Sequence, residues 1–370
     1  MLSRRELIQN MAAFLLGTEC SLVWPQEIGT KVIPPMREAM FYRPGSGQAV
    51  QCHLCPRRCR IAEGKRGFCR NRENRRGKLF SVVYGRPAAV DIGPIEKAPL
   101  FHFIPGHSRL CLTCASCNLR CKYCHNWNLS QKSTEELNTF SFSPEEIVQR
   151  ARAQGLPSIS FTYTEPTVYF EYLFDISKLA RREGIKTSIV SNGYINQEPL
   201  LNLLPILDAV KVDLKGFSER FYQEVCAASL NPVLETLKTV KREKVWLEIV
   251  NLIVPTLNDD PKMIDEMCRW IRANLGCETP LHFTRFFPNY KLTHLAPTPI
   301  STLETAFEIA RNNGLRYVYI GNVPGHIRNS TFCPSCSKRI IYRTHFDVLE
   351  MNVVKGKCKF CHQEIQGKWA

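Results

Sequence analysis

The sequence predicts an α/β protein built on a partial or full (β/α) barrel, with a cysteine-rich module at each end of the chain. Between residues 107 and 325, short β-branched or aromatic segments alternate with amphipathic ones. This alternation is typical of parallel strands with helices outside them. Gly184 and Gly314 follow two of the amphipathic segments, where a glycine commonly ends a helix. Four cysteines lie within residues 52–69, and four more lie within residues 333–361.

Seven strand candidates follow one another along the predicted barrel. They cover residues 109–113, 158–163, 186–191, 208–214, 245–254, 281–287 and 316–320. Ser143 and Pro144 are typical of an N-cap and a first helical residue. Further helices are expected over residues 168–182, 217–226, 261–275 and 302–313. In such a barrel the chemistry lies at the carboxyl ends of the strands.

We divide the chain into a leader (1–45), an N-terminal Cys-rich module with a connector (46–106), the barrel (107–325) and a zinc-ribbon-like tail (326–370). The leader contains Arg4 and Arg5 before a short apolar run, which is similar to a twin-arginine export signal. The run is brief and no cleavage site follows it, which favours an amphipathic helix and a cytoplasmic protein. No segment reaches the roughly 18 apolar residues of a membrane span.

The cysteine content and the net charge bear on the class of protein. The chain has 370 residues, 17 cysteines and a formal net charge of +15. Disulfide frameworks are expected mainly in small secreted domains, whereas these cysteines have the spacing of metal ligands and favour a reducing compartment. The positive charge permits an acidic partner or nucleic acid without requiring either.

The most informative motif is a C-x3-C-x2-C triplet formed by Cys117, Cys121 and Cys124. It follows the first predicted strand and therefore lies at the mouth of the barrel. Three thiolates at this spacing can hold three irons of a [4Fe-4S] cluster and leave the fourth iron open. The alternatives are a redox pair or zinc, but zinc usually takes four ligands in C-x2-C pairs.

This triplet, with Tyr123 before its last cysteine, is similar to the signature of the radical S-adenosylmethionine (SAM) superfamily. In that superfamily the open iron chelates the amino and carboxylate groups of SAM. The resemblance implies that Tyr123 packs near the adenine. Glu165, at the end of the second strand, is well placed to bind the SAM ammonium, although it is also a possible N-cap acid.

Further candidates for the SAM pocket lie at the next strand ends. Ser191 and Asn192, beside a glycine, can bond the ribose or form an ordinary turn. Asp213 and Lys215 share a strand face with Lys211, and charged groups facing a barrel interior are costly unless they are paired or functional. We therefore expect Asp213 and Lys215 to touch the substrate or the SAM carboxylate. Asn251, which is polar among apolar neighbours, is expected to line the same pocket.

Two further cysteine sets each supply four thiolates. The front set, for which zinc is the first choice and a second iron–sulfur cluster the next, consists of Cys52, Cys55, Cys59 and Cys69. The rear set, whose two C-x2-C pairs match a zinc ribbon, consists of Cys333, Cys336, Cys358 and Cys361. A hairpin is expected between the rear pairs, over residues 339–342 and 345–351. Cys111 and Cys114 are expected to be small buried residues.

Several longer motifs resemble those of the AmmeMemoRadiSam system radical SAM enzymes, which are similar to the pyruvate formate-lyase activating enzyme. They lie at residues 51–59, 67–69, 125–131, 163–167, 333–336, 356–361 and 367–369. The resemblance covers about residues 50–370. The leader and the pair Cys111 and Cys114 look atypical.

The resemblance implies that a reduced cluster passes an electron to the SAM sulfonium and that the S–C5′ bond breaks. The resulting 5′-deoxyadenosyl radical would take hydrogen from an unidentified protein or small-molecule substrate. Implied partners are an electron donor such as flavodoxin or ferredoxin, and Memo-like and AMMECR-like proteins. Substrate contacts are expected from late strand ends, such as Arg285, Asn289 and His326. The alternative is a zinc-dependent nucleic-acid-binding protein or a radical RNA-modifying enzyme.

Overall fold

The computed structural model describes residues 36–369, so the expectations for Arg4, Arg5 and most of the leader fall outside it. Its centre is an eight-stranded sheet in which each strand pairs with its neighbours in sequence. In chain order the strands are β1 (Ala89–Pro94), β2 (Ser108–Thr113), β3 (Ser158–Phe161), β4 (Lys186–Ser191), β5 (Ala209–Asp213), β6 (Trp246–Ile253), β7 (Leu281–Arg285) and β8 (Val318–Gly321).

The barrel is open. Strands β2 to β8 run parallel, whereas β1 pairs with β2 in the antiparallel direction. Because β1 occupies the hydrogen-bonding edge of β2, that edge cannot pair with β8 and close the barrel. The prediction of an α/β partial barrel is therefore confirmed and that of a full barrel is wrong. Residues 81–106, expected to be a connector alone, supply one strand of the central sheet.

Helices connect the parallel strands and pack on the sheet. The α-helices span Trp127–Ser130, Pro144–Ala153, Phe170–Arg182, Gln197–Leu203, Glu219–Phe221, Asn231–Arg242, Pro261–Leu275 and Ile300–Asn312. Shorter 3-10 turns span Ser46–Gln48, Ile95–Lys97, Thr134–Glu136, Pro166–Tyr169, Leu204–Ile206 and Ile327–Asn329, and Tyr222–Cys226 is a π-helical turn. The helices at 197–203 and 231–242 were not predicted. Among residues 36–369 no helix has the length and apolar character needed to cross a membrane.

Small antiparallel sheets form the two end modules. The N-terminal module contains one sheet of Arg37–Glu38, Arg72–Arg75 and Lys78–Ser81, and another of Tyr42–Pro44, Val50–Cys52 and Arg60–Ile61. The C-terminal module contains one sheet of Thr331–Phe332, Arg339–Thr344 and Asp347–Met351, and a strand pair of Val353–Val354 and Lys357–Cys358. The predicted hairpin between the rear cysteine pairs is present.

A buried carboxylate on β6 fastens the segment before β2 across the inside of the sheet. Glu248 accepts hydrogen bonds from the backbone N–H groups of Phe101 at 3.0 Å and His102 at 2.8 Å. Trp246 Nε1 donates to it at 3.0 Å, and His282 Nε2 lies at 2.8 Å. Burial alone would raise the pKa of Glu248, but the hydrogen bonds from His282 and Trp246 outweigh burial and lower it to about 2.

The C-terminal module packs on the other side of the same segment. The ring nitrogens of His102 lie 2.7 Å from the carbonyl oxygen of Gln366 and 2.5 Å from Tyr319 Oη. The fully buried Arg343 donates to the carbonyl oxygen of Phe101 at 2.7 Å. The connecting segment is therefore held between the sheet and the C-terminal module.

We expect the protein to lose stability as the pH falls from about 6.5 to about 4, because burial lowers the pKa of His102 to about 4. In the unfolded chain this imidazole takes up a proton near pH 6.5. Across that window the unfolded state therefore binds more protons than the folded state, and acidification favours it. The loss at about pH 5 is on the order of 2 kcal/mol, measurable by urea unfolding at about pH 7.5 and about pH 5.

His282 acts in the same direction, because burial lowers its pKa as well. A His102→Gln variant should therefore show a shallower dependence of unfolding free energy on pH, though not a flat one. His294 is exposed, so His294→Gln should keep the wild-type slope. Equal slopes in all three proteins would contradict the role of His102.

Candidate active site

A cavity of about 570 Å³ opens at the carboxyl ends of the parallel strands. This volume lies within the roughly 300–1,000 Å³ of ordinary small-molecule sites. Its wall includes the loop after β2, the ends of β3 to β5, and residues of β6 to β8. The cavity thus lies where the chemistry of parallel barrels is found.

The cysteine triplet lines this cavity. Cys117, Cys121 and Cys124 all contribute to the wall. Burial raises the pKa of Cys117 and of Cys124 above the ordinary value, so these thiols keep their protons until a metal replaces them. The backbone N–H of Leu119 lies 3.3 Å from the Cys117 sulfur, and Asn192 Nδ2 lies 3.6 Å from it. These donors stabilise a thiolate at that position.

Glu165 is a buried carboxylate in the same wall. It accepts hydrogen bonds from Thr167 N–H at 3.0 Å, Thr167 Oγ1 at 2.7 Å, Ser191 Oγ at 2.8 Å and Asn192 N–H at 2.8 Å. Burial still raises its pKa in spite of these donors. A cation in the cavity would therefore stabilise the ionised form. Glu165 also caps the turn Pro166–Tyr169, so both roles considered from the sequence are compatible.

The end of β4 supports this carboxylate. Ser191 Oγ donates to Glu165, while Asn192 Nδ2 donates to Asn118 Oδ1 at 2.9 Å. Gly193 has φ of +71°, and a Cβ there would lie 3.0 Å from Val212 Cγ1. Glycine is therefore required for the close turn. Ser191 and Asn192 line the cavity, and their contact with a ribose stays a prediction.

Lys211, Asp213 and Lys215 also line the cavity, as their alternation along one strand face indicates. Lys211 contacts Asp213 Oδ1, and Lys215 Nζ lies 2.9 Å from Asp213 Oδ2. Burial alone would raise the pKa of Asp213, but the two lysines lower it well below its usual range. Burial alone would lower the pKa of Lys215, but the charge of Asp213 outweighs burial and raises it. Two ammonium groups thus flank one carboxylate and leave excess positive charge in the cavity.

The sequence did not indicate any role for Cys226. Its sulfur hydrogen-bonds to the sulfur of Cys121 and lies 3.8 Å from Tyr123 Oη. Tyr123 is buried, lines the cavity and has its ring centre 6.3 Å from that of Phe221. No spacing rule connects Cys226 with the triplet, so only the fold brings it there. His125 lines the cavity too, and burial lowers its pKa.

The far wall of the cavity comes from outside the barrel. His345 and Phe346, in the turn of the C-terminal hairpin, line it together with Glu96 and Lys97 of the connecting segment. Asn329 Nδ2 donates to the carbonyl oxygen of His345 at 2.8 Å and holds the turn in place. These residues were missed because the sequence gives no sign that residues far apart in the chain share one wall.

Other sequence candidates do not belong to the wall. Asn251 is buried and donates to the carbonyl oxygen of Leu214 at 2.7 Å. Its neighbours Val250 and Leu252 line the cavity, so the period of two turns Asn251 to the opposite face. Arg285, Asn289 and His326 are also absent from the lining residues of this cavity. Arg285 Nε bonds the carbonyl oxygen of Thr298 at 2.8 Å, and His326 caps the turn Ile327–Asn329.

The rear cysteine set is compact. The sulfurs of Cys333 and Cys361 are 3.6 Å apart, and those of Cys336 and Cys358 are 3.8 Å apart. The ligand atoms of all four cysteines lie within 4.8 Å of one another, and among residues 36–369 no other group of three or more metal-binding side chains is as close. Cys111 and Cys114 are buried, as expected. Arg109 Nη1 donates to the sulfur of Cys111 at 2.6 Å.

The chain is similar in sequence to radical SAM proteins. The model of the Radical SAM superfamily matches residues 112–271. Uncharacterized protein MJ0808 of Methanocaldococcus jannaschii is 48% identical over 332 residues, which cover 89% of this chain and 99% of that protein. The pyruvate formate-lyase-activating enzyme of Clostridium pasteurianum is 31% identical over 166 residues, covering 42% and 66%. The pyruvate formate-lyase 1-activating enzyme of Escherichia coli K12 is 25% identical over 222 residues, covering 55% and 88%.

We expect Asp213→Ala to destabilise the protein by about 3 kcal/mol, because the change leaves two largely buried ammonium groups without their carboxylate. Chemical unfolding followed by circular dichroism measures the effect. Glu235→Ala is the matched control, since its ion pair with Lys238 is exposed and should contribute less than about 1 kcal/mol. Equal stability of the Asp213 variant and the wild type would show that the lysines do not depend on Asp213.

Proposed function

The chain is a radical SAM enzyme of the same family as MJ0808, and from this premise we propose that its cavity binds a [4Fe-4S] cluster and SAM next to a substrate at the far wall. The observation that carries the proposal is that one cavity is lined by three cysteines, a buried carboxylate and a lysine-rich group. These are the groups that a cluster, an ammonium and a carboxylate respectively require.

In this proposal the cysteine triplet would ligate three irons of the cluster and leave the fourth iron open to SAM. When bound, the cluster supplies the electron that cleaves SAM to the 5′-deoxyadenosyl radical used for hydrogen abstraction. The protein limits the exposure of the triplet, because Cys121 is buried and Cys117 and Cys124 are half-buried. Leu119 N–H and Asn192 Nδ2 stabilise the Cys117 thiolate.

Glu165 and Lys215 carry opposite charges, and each would hold the oppositely charged group of SAM. Glu165 is fixed by four donors and binds the SAM ammonium. Lys215, held by Asp213, faces the SAM carboxylate. Ser191 and Asn192 lie beside Glu165 and are within the same wall as Tyr123, which supports their assignment to the nucleoside part of SAM.

The substrate is proposed to lie between SAM and the far wall, against His345 and Phe346. Two relatives are named for the activation of pyruvate formate-lyase, which supports a protein substrate, with a small molecule as the alternative. The motifs at residues 51–59 and 163–167 support membership of the AmmeMemoRadiSam system and, with it, Memo-like and AMMECR-like partners. Flavodoxin or ferredoxin is the proposed electron donor.

The N-terminal arginines give the nucleic-acid alternative little support, because contacts within the chain hold several of them. Arg57 bonds the carbonyl oxygen of Asn118, and Arg66 pairs with Glu73 and Glu135. Arg72 is fully buried. Arginines held by their own chain are less available to phosphates.

We propose that the rear cysteine set binds zinc. Four sulfurs bound tetrahedrally at about 2.3 Å from zinc lie about 3.8 Å apart. The measured separations of 3.6 and 3.8 Å agree with this geometry. A closed four-thiolate site stabilises the fold, and here it would hold the hairpin that carries His345.

The enzyme prepared without oxygen and with a loaded cluster should form 5′-deoxyadenosine when SAM and dithionite are added, measured by liquid chromatography. Cys121→Ala should reduce the rate at least about 100-fold, because one iron loses its ligand. Cys277→Ala is the matched control, as Cys277 lies outside the cavity. A fully loaded wild type that leaves SAM intact would refute the proposed function. Cleavage by the Cys121 variant at the wild-type rate would refute the ligand assignment.

Cys361→Ser should remove about one zinc ion per chain and speed hydrogen exchange in the hairpin Arg339–Met351, with little change in the parallel strands. Mass spectrometry measures both effects. Cys268→Ser, which changes a buried cysteine outside every set, should keep the zinc. Retention of zinc by the Cys361 variant would contradict the proposed site.

A further inference from the structure

The N-terminal module contains a second set of cysteines around a small cavity. Cys52, Cys55, Cys59 and Cys69 all line it. The remaining wall includes Asn118, from the triplet loop, and Thr167 and Val168, from the segment after β3. The cysteines therefore face a shared space that is bounded partly by the barrel.

This space differs from the compact rear set. Among residues 36–369 only the rear set brings three or more metal-binding side chains within 4.8 Å of one another, so the front sulfurs are more widely spread. The cavity among them measures about 20 Å³, more than the roughly 10–15 Å³ that one water-sized body needs. Four thiolates closed around one zinc ion approach to about 3.8 Å and leave no such space.

Donor groups reach two of the front sulfurs. Arg72 is buried, and its Nη1 lies 3.9 Å from the sulfur of Cys52. Glu171 pairs with the same guanidinium and accepts from Met40 N–H at 2.8 Å. The backbone N–H of Phe68 lies 3.5 Å from the sulfur of Cys59. A fixed cation and an N–H donor both stabilise thiolates in a buried place.

We propose that this front set holds a second [4Fe-4S] cluster, with one cysteine on each iron, and that it does not hold zinc. A multi-iron core separates its thiolates more widely than a single ion, because each sulfur binds a different metal atom. All four irons have a protein ligand, so this cluster has no open iron for SAM. Asn118 lies next to Cys117 in the chain and lines the front cavity, so the two iron–sulfur sites are neighbours.

The test uses a full-length variant in which Cys117, Cys121 and Cys124 are all changed to alanine. After anaerobic reconstitution with iron and sulfide, it should retain about four irons per chain, against about eight in the wild type. Its reduced form should give an electron paramagnetic resonance signal that SAM does not alter. Both proteins should contain about one zinc ion, at the rear set.

Iron at zero and zinc at about two per chain in the triple variant would overturn the inference in favour of zinc. A triple variant with neither metal at the front set would overturn it equally. If the triplet itself did not bind a cluster, the triple variant and the wild type would contain the same amount of iron per chain. Failure of the proposed function is therefore distinguishable from failure of the front-set proposal.

A second variant tests the ligands directly. A double variant, Cys55→Ala with Cys59→Ala, leaves two thiolates in the front set and should lower the iron of the wild type from about eight to about four per chain, while the remaining signal still responds to SAM. Cys277→Ala is the control and should keep all the iron. Unchanged iron in this double variant would exclude the front set as a cluster site. If this variant does not fold, the result for the triple variant decides.

Discussion

The hydrogen bonds of one buried carboxylate hold together the parts from which the active-site cavity is built. A sheet of seven parallel strands that does not close has an interior that something else must fill. Glu248 fastens the connecting segment there through the N–H groups of Phe101 and His102. That segment in turn receives Arg343 and the C-terminal module. The far wall of the cavity exists only because this stack is in place.

The charges in the cavity suit a zwitterion. Glu165 is buried deeply enough that burial raises its pKa in spite of four donors, so it gains from a neighbouring cation. On the next strand but one, two lysines share one carboxylate and have positive charge to spare. A ligand with an ammonium and a carboxylate group satisfies both places at once.

Local pattern was sufficient for much of the structure. The parallel strands lie within a few residues of their predicted positions, and Lys211, Asp213 and Lys215 share a face because alternation is a property of any strand. Asn251 was assigned to the wrong face because polarity was weighed above its alternation with Val250 and Leu252. Cys226 and His345 could not be found from the sequence, since their neighbours are set by tertiary packing. The open barrel likewise depends on which edge β1 occupies.

The origin of the far wall has an evolutionary consequence. The residues proposed to generate the radical lie in the barrel, whereas His345 and Phe346 belong to a hairpin near the end of the chain that has its own cysteine set. In this proposal, radical generation and choice of substrate are encoded in different stretches of the gene. Recombination that exchanges the final segment alters the surface offered to a substrate and leaves the triplet intact. Such a layout allows one catalytic core to be inherited with many specificities.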